Sequence, residues 1–255
     1  MKTIVCLKAV QPHLVFPDNT DNEPVMNPYD MYALKNVLQH KVIGQDEVIC
    51  LSMGAKSAEN TMLKCMAMGA DNSILLSDAA FGGADTVATT YTLEQAVKKI
   101  GDFQLIVCGG KSVDGETGQV VYGLAQRLGI PCVANVLEII ERKDDSIIVK
   151  KEEEDQVAVM ECHFPVVIAF QEFTTERENI SLLKLKRAKK TGITTWNSTD
   201  MDLDVEKCGS KGSKTKVLNV ESELLKSKEN QFIEGEVTEQ AEEIYLILRK
   251  KMGNE

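Results

Sequence analysis

The stretch from Leu105 to Asn135, LIVCGGKSVDGETGQVVYGLAQRLGIPCVAN, gathers the residue types best suited to holding an anion. An apolar strand (Leu105 to Cys108) leads into a glycine-rich polar loop (Gly109 to Gly118). An amphipathic helix (Gln119 to Leu128) follows and stops at Gly129 and Pro131. Val121, Leu124, Ala125 and Leu128 recur at helical spacing and give that helix one apolar face. The loop before it can leave several N–H groups without partners, aimed outward. A phosphate seated there would meet those donors, the positive end of the helix dipole, the Lys111 ammonium and the Ser112 and Thr117 hydroxyls. Glycine-rich strand-to-helix loops also occur in α/β domains that bind nothing, so spacing alone leaves both readings open.

A second loop of small residues, SDAAFGGADTVATT, follows a short strand at Ser73 to Leu76. Gly82 and Gly83 permit unusual backbone angles, and Asp85 or Thr86 can cap a helix whose Thr89, Leu93, Val97 and Ile100 face the core. If the strands are parallel, both loops lie on one edge, the usual place for a ligand in an open α/β sheet. Asn27-Pro28-Tyr29-Asp30 reads as a helix start, with Asn27 as cap, Pro28 at the first helical position and Asp30 near the exposed N–H groups. Capping alone accounts for Asn27 and Asp30 without any ligand.

The elements that must position these loops alternate. Strands are predicted at Thr3 to Leu7, Val48 to Met53 and Ser73 to Leu76. Helices are predicted after Asn27, from Ala58 to Met68 and after Asp85. This alternation implies parallel strands joined by right-handed crossovers, a doubly wound sheet covered on both faces. A polar segment between Leu7 and Pro24 reads as a long loop. Beyond Asn135 the rhythm changes: Val136 to Ile140, Ser146 to Lys150 and Val157 to Glu161 form an antiparallel excursion before an apolar strand at Val166 to Phe170. Residues 1–190 therefore form an α/β nucleotide-binding domain. Residues 191–255, poor in periodicity until a helix at Thr238 to Lys250, read as an extended arm and helix that pack on a partner subunit.

Composition narrows the function. With 255 residues and 43% hydrophobic content there is enough for one large core. No apolar run approaches the roughly 20 residues that span a bilayer, and Lys8, Gln11 and Pro12 interrupt the start, so no membrane insertion and a cytoplasmic location are expected. The net charge of -10 argues against sequence-independent nucleic-acid binding. Seven cysteines without a CxxC pair read as small buried hydrophobes, and none of the three histidines has a second ligand at helical spacing, so no metal site is expected. The run Lys184, Lys186, Arg187, Lys189, Lys190 reads as a solvated helix face. Asp114 and Glu116 are better explained as one turn-forming and one solvated acid than as an acid–base pair. No nucleophile, P-loop or dinucleotide fingerprint is present, so no catalytic side chain is assigned and any redox chemistry falls to a bound cofactor.

The D-G-E-T-G-Q run at Asp114 to Gln119, following Gly110-Lys111-Ser112, resembles the signature of the β subunit of electron transfer flavoproteins. Cys6-Leu7-Lys8, Asn27 to Asp30, Ala67 to Asp71 and the RENISLLKLKRAKK segment from Arg177 to Lys190 extend the resemblance over nearly the whole chain. The resemblance implies a heterodimer with a larger α subunit and an adenine-nucleotide site. That site would use Cys6, Asn27, Pro28, Tyr29, Asp30, Met53 and the run Gly110, Lys111, Ser112, Val113, Asp114, Gly115, Glu116, Thr117, Gly118, Gln119, Val120 and Val121. In ordinary members the ligand is a structural AMP. In electron-bifurcating members it is a second FAD that takes hydride from NADH, with redox activity only in the αβ complex. The loop Gly82-Gly83-Ala84-Asp85-Thr86-Val87-Ala88-Thr89 is similar to the bifurcating branch, although Gly118 stands where that branch often has alanine. The expected partners are the α subunit, an acyl-CoA dehydrogenase-type flavoenzyme, and ferredoxin or flavodoxin as acceptor. Arg177 and Leu182 would serve partner docking, the latter only with one residue inserted after Arg177, and Glu176 replaces the proline usual before that arginine. Three readings stand: a bifurcating FAD subunit, the same subunit with AMP, and an adenine-nucleotide-dependent α/β enzyme or sensor.

Overall fold

The computed structural model describes residues 1–17, 21–154, 156–176, 179–219 and 232–251. In chain order the first half comprises β1 (Lys2–Cys6), β2 (Ala9–Val10), β3 (Val25–Met26), α1 (Pro28–Gln39), β4 (Glu47–Met53), α2 (Glu59–Met68), β5 (Asn72–Leu76), α3 (Thr86–Ile100) and β6 (Leu105–Gly109). Then follow α4 (Val120–Leu128), β7 (Cys132–Arg142), β8 (Ser146–Glu153), β9 (Gln156–His163), β10 (Val166–Phe170), α5 (Leu182–Thr191), β11 (Thr194–Trp196), α6 (Gly209–Gly212) and α7 (Val237–Lys251).

Nine strands form one sheet in the order β11-β5-β4-β1-β6-β10-β7-β8-β9. From β11 to β7 all pairings are parallel, and β7-β8-β9 continue as an antiparallel extension. The parallel strands are apolar at nearly every position because both faces are covered, and alternate residues go to opposite sides. On β1, Val5 joins the core under α1 and α2, while Ile4 and Cys6 join the core under α3 and α4. β4 and β6 repeat this: Cys50 and Val107 face the first layer, Leu51 and Cys108 the second. The chain is thus a doubly wound, mostly parallel α/β sheet with an antiparallel excursion, as its alternation predicts.

Helix ends follow local chemistry. Asp85 caps α3 by accepting from the N–H groups of Val87 and Ala88, and Gly129 ends α4 in the left-handed conformation. Asn27 departs from expectation: it precedes Pro28 at the start of α1 but makes no capping bond. The long polar loop after Leu7 also holds a two-residue antiparallel pairing, β2 with β3, too short to leave an alternating pattern. The basic run lies on α5, where Lys184, Lys186, Arg187, Lys189 and Lys190 are exposed while Ala188 packs with Leu63 and Ala67 of α2.

Contacts divide the chain into a unit from Met1 to Lys216 and a second from Val217 to Glu255, which contains α7. The segment after Thr191 therefore belongs with the first unit up to Lys216. β11 adds to the sheet edge beside β5, and Ser198 donates through both its N–H and its hydroxyl to Asp78. Among the described residues no helix is long and apolar enough to cross a membrane.

Phe170, fully buried at the end of β10 and edge-on to Tyr32 at 5.7 Å between ring centroids, anchors the core beneath α1. Phe170→Ala is expected to destabilise the chain by about 3–5 kcal/mol in urea unfolding. A loss below about 1 kcal/mol would contradict this packing.

Candidate functional site

Strand order places the site. From β1 the chain winds outward through β4 to β5, then returns through α3 to β6 on the other side of β1. The connections leaving β1 and β6 go to opposite faces, so their carboxyl ends part and leave a crevice, the switch point of a doubly wound sheet. A cavity of about 1020 Å³ opens there, at the large end of the roughly 300–1,000 Å³ typical of ligand pockets.

Asp30 holds the crevice together. One carboxylate oxygen accepts from Lys8 N–H just beyond β1 at 2.7 Å, the other from Gly109 N–H at the end of β6 at 3.0 Å. Burial pushes its carboxyl up from 3.8 to about 7, with the bonds from Lys8, Asn27 and Gly109 opposing that rise. Asn27 works beside it instead of capping α1: its amide donates to the Lys111 carbonyl at 2.8 Å and its carbonyl accepts from Val113 N–H at 3.1 Å. Both side chains at the start of α1 are thus spent on the glycine-rich loop, which the capping account did not anticipate. Gly109 is required by close approach, since a Cβ there would lie 2.5 Å from an Asp30 oxygen and 2.7 Å from the Tyr29 backbone.

The loop from Gly109 to Gly118 satisfies some of its donors internally. Gly110 N–H bonds the Phe170 carbonyl, Gly115 N–H the Asp114 carboxylate and Glu116 N–H the Ser112 carbonyl. The N–H groups of Lys111, Ser112, Thr117 and Gly118 have no protein acceptor among the described residues, and Val120 and Val121 open α4 with the orphan donors of any helix start. Lys8 reaches across to Asp114 at 2.7 Å. Burial raises the Asp114 carboxyl, but Lys8, the Ser112 hydroxyl and Gly115 N–H outweigh it and hold the group below its ordinary value. Lys111 sits 3.6 Å from Glu116 and 5.7 Å from the centre of the Tyr29 ring.

The second loop faces the same cavity. Gly83 has φ +72° and packs on Ser210, and the N–H groups of Gly83 and Ala84 have no acceptor among the described residues. The segment after β11 clasps this loop: Ser210 N–H donates to the Gly82 carbonyl at 2.8 Å, and Lys214 and Thr215 N–H donate to Asp85. Burial raises the Asp85 carboxyl, yet these donors and those of Ala88 and Ser213 hold it below its ordinary value.

Of the residues singled out in sequence, Cys6, Asn27, Asp30 and Met53 line the cavity floor and near wall. Gly110, Lys111, Ser112, Gly115, Thr117 and Gly118 line it from the first loop, with Val120 and Val121 from α4. Gly82, Gly83, Ala84, Asp85, Thr86 and Thr89 line it from the second. Pro28, Tyr29, Val113, Asp114, Glu116 and Gln119 shape the loops without lining the cavity. Leu182 lies apart from it at the start of α5 and is 77% exposed; Arg177 lies outside the described residues. Lys8, Lys56, Ser77, Asp78 and Cys108 also line the cavity. Lys8 had a signal in the Cys6-Leu7-Lys8 run and Ser77 and Asp78 in the second loop, whereas Lys56 and Cys108 stood out only by lying at or just past a strand end. Thr215 carried no such signal.

Two outcomes follow. Gly109→Ala is expected to cost about 3 kcal/mol, the upper end for overpacking, read by denaturant unfolding. Because the native Asp30 carboxyl binds its proton more tightly than the unfolded one, its contribution to stability falls as pH rises from about 4 to about 7. The stability difference between the wild type and Asp30→Asn should therefore slope across that window and flatten above it. A difference independent of pH would refute the shift.

Known sequences sharpen the picture. A family model described as the electron transfer flavoprotein domain matches residues 18–201. The electron transfer flavoprotein subunit beta of Clostridium acetobutylicum is 36% identical over 232 residues, 85% of this chain and 86% of that protein. The caffeyl-CoA reductase-Etf complex subunit CarD of Acetobacterium woodii is 38% identical over 194 residues, 76% and 74% of the two chains. Protein FixA of Azorhizobium caulinodans is 36% identical over 203 residues, 77% and 72% respectively.

Proposed function

This chain belongs to the electron transfer flavoprotein family as a β subunit, and we propose that its cavity binds FAD and that the subunit works in flavin-based electron bifurcation with an α subunit. The observation that carries this reading is the reach of the cavity. It runs from the Gly109–Gly118 loop to the Gly82–Asp85 loop, and each loop presents backbone donors without acceptors among the described residues. A mononucleotide such as a structural AMP calls on one anion-binding loop, whereas a dinucleotide gives both a role. FAD, when bound, would accept a hydride from NADH and release its electrons one at a time, chemistry that no side chain here can supply.

The protein's own share is binding and placement. Lys111, Ser112, Thr117 and Gly118 N–H groups, with the start of α4, would hold phosphate oxygens, and the Lys111 ammonium would add charge. Asp30 and Asn27 keep the loop that carries those donors in register with β1 and β6. Gly82, Gly83 and Ala84 present backbone and little side chain, which lets a flat ring approach closely. The segment from Thr191 and α7 would face the α subunit. The exposed Leu182 and the segment holding Arg177 would dock a partner flavoenzyme acting on a CoA thioester, a reading supported by the name of the Acetobacterium relative.

Identification of the nucleotide released from the co-purified αβ pair tests this directly. Two FAD per pair, one bleached by NADH, is the expected result. One FAD with released AMP would replace bifurcation with the structural-AMP reading. A chain that purifies without an α subunit and hydrolyses ATP would remove both. Leu182→Ala should leave the nucleotide content unchanged while slowing electron exchange with the partner enzyme roughly tenfold or more, as loss of an interface anchor worth ~2 kcal/mol would do.

A further inference from the structure

Seven free cysteines are present, and two of them form a pair with an outlet. Cys6, the last residue of β1, and Cys108, the last but one of β6, stand in direct register on neighbouring parallel strands. Both side chains point to the face covered by α3 and α4, and both line the cavity. Strands about 4.8 Å apart set two such Cβ atoms side by side. The Cys6 thiol is the largest influence on Cys108, and with burial it raises the Cys108 thiol well above its ordinary range. Cys50 and Cys65 are also coupled, but both are fully buried away from the cavity; Cys132 acts on Cys108 without lining the cavity, and Cys162 and Cys208 do not line it either.

We propose that Cys6 and Cys108 form a dithiol site in the cavity floor that chelates trivalent arsenicals, and that nucleotide occupancy shields it. The chemistry needs no oxidant. The two S–H groups give their protons to the oxygen of an organoarsenic oxide, two As–S bonds form, the As=O oxygen leaves as water, and arsenic stays trivalent. The shielding follows from position. Lys8, two residues past Cys6, pairs with Asp114 of the phosphate-binding loop, and Gly109, next after Cys108, opens that loop, so a ligand held by it lies over the sulfurs.

The site does not depend on which nucleotide binds. The full chain, stripped of nucleotide and titrated with phenylarsine oxide, should take up one equivalent and lose two titratable thiols. The adduct should be released by 2,3-dimercaptopropanol but not by glutathione. Saturating AMP or FAD, with binding checked separately by equilibrium dialysis, should slow capture at least tenfold. Cys6→Ala and Cys108→Ala should each abolish one-equivalent capture, and Cys132→Ala should retain it. Should either cavity variant fail to fold by circular dichroism, peptide mapping of the wild-type adduct decides: arsenic bridging the peptides of Cys6 and Cys108 supports the site, and any other bridge overturns it. Capture that persists undiminished with nucleotide demonstrably bound, or unchanged capture by Cys108→Ala, also overturns it. Capture by a chain that binds neither AMP nor FAD would leave the dithiol standing and remove the FAD reading instead.

Discussion

The fold's functional end depends on one buried carboxylate. Asp30 is where three elements meet: it belongs to the first turn of α1, accepts from the backbone after β1 and accepts from the last residue of β6. A carboxylate out of water is tolerated only when hydrogen bonds replace its hydration, and here each oxygen receives a backbone donor. Those donors are also what prevent the two strand ends from drifting apart at the point where the sheet topology forces their connections in opposite directions. The incomplete replacement of water shows in the raised affinity of Asp30 for its proton. Stability is given up at neutral pH for a defined crevice, a pattern expected where a site and not the core dictates the residue.

From that tie the remaining geometry follows. Asn27 extends the same construction by two hydrogen bonds into the glycine-rich loop, so the loop's shape is set from α1 and not from its own sequence. With Val113, Gly115 and Glu116 N–H groups satisfied inside the protein, the donors of Lys111, Ser112, Thr117 and Gly118 are among those with no acceptor within the described residues and so open to a ligand. The second loop is held from another direction, by the segment after β11, through Ser210 on Gly82 and two backbone donors on Asp85. Two loops of similar composition are therefore supported by unrelated parts of the chain. A change in the C-terminal segment would reach one end of the cavity while Asp30 maintains the other.

Much of this was legible beforehand, for identifiable reasons. Doubly covered parallel strands are apolar throughout, so Val166 to Phe170 read correctly to the residue, and Gly129 marked the end of α4 because only a left-handed residue fits there. The antiparallel excursion showed in the alternation after Asn135. What did not show was any element whose existence rests on a distant partner. β2 and β3 are two residues each, and β11 is three residues in a polar stretch that adds to β5. The arm was expected to leave the domain after residue 190, whereas the compact unit continues to Lys216 through contacts that no local period encodes.

By itself, then, the amino-acid order determined the longer strands, most helix boundaries and the two glycine-bearing loops, because periodicity, capping and backbone freedom act over a few residues. Its motifs also carried the family. Only the tertiary structure decided what the chemistry-bearing side chains do. Asn27 and Asp30 read as caps and proved to be cross-links, because the acceptors and donors they serve lie 22 to 86 residues away in the chain. Lys8 became a partner of Asp114, and Cys6 and Cys108 became neighbours, through strand register alone. Register and strand order depend on every layer packing at once, and that is information no short window of sequence contains.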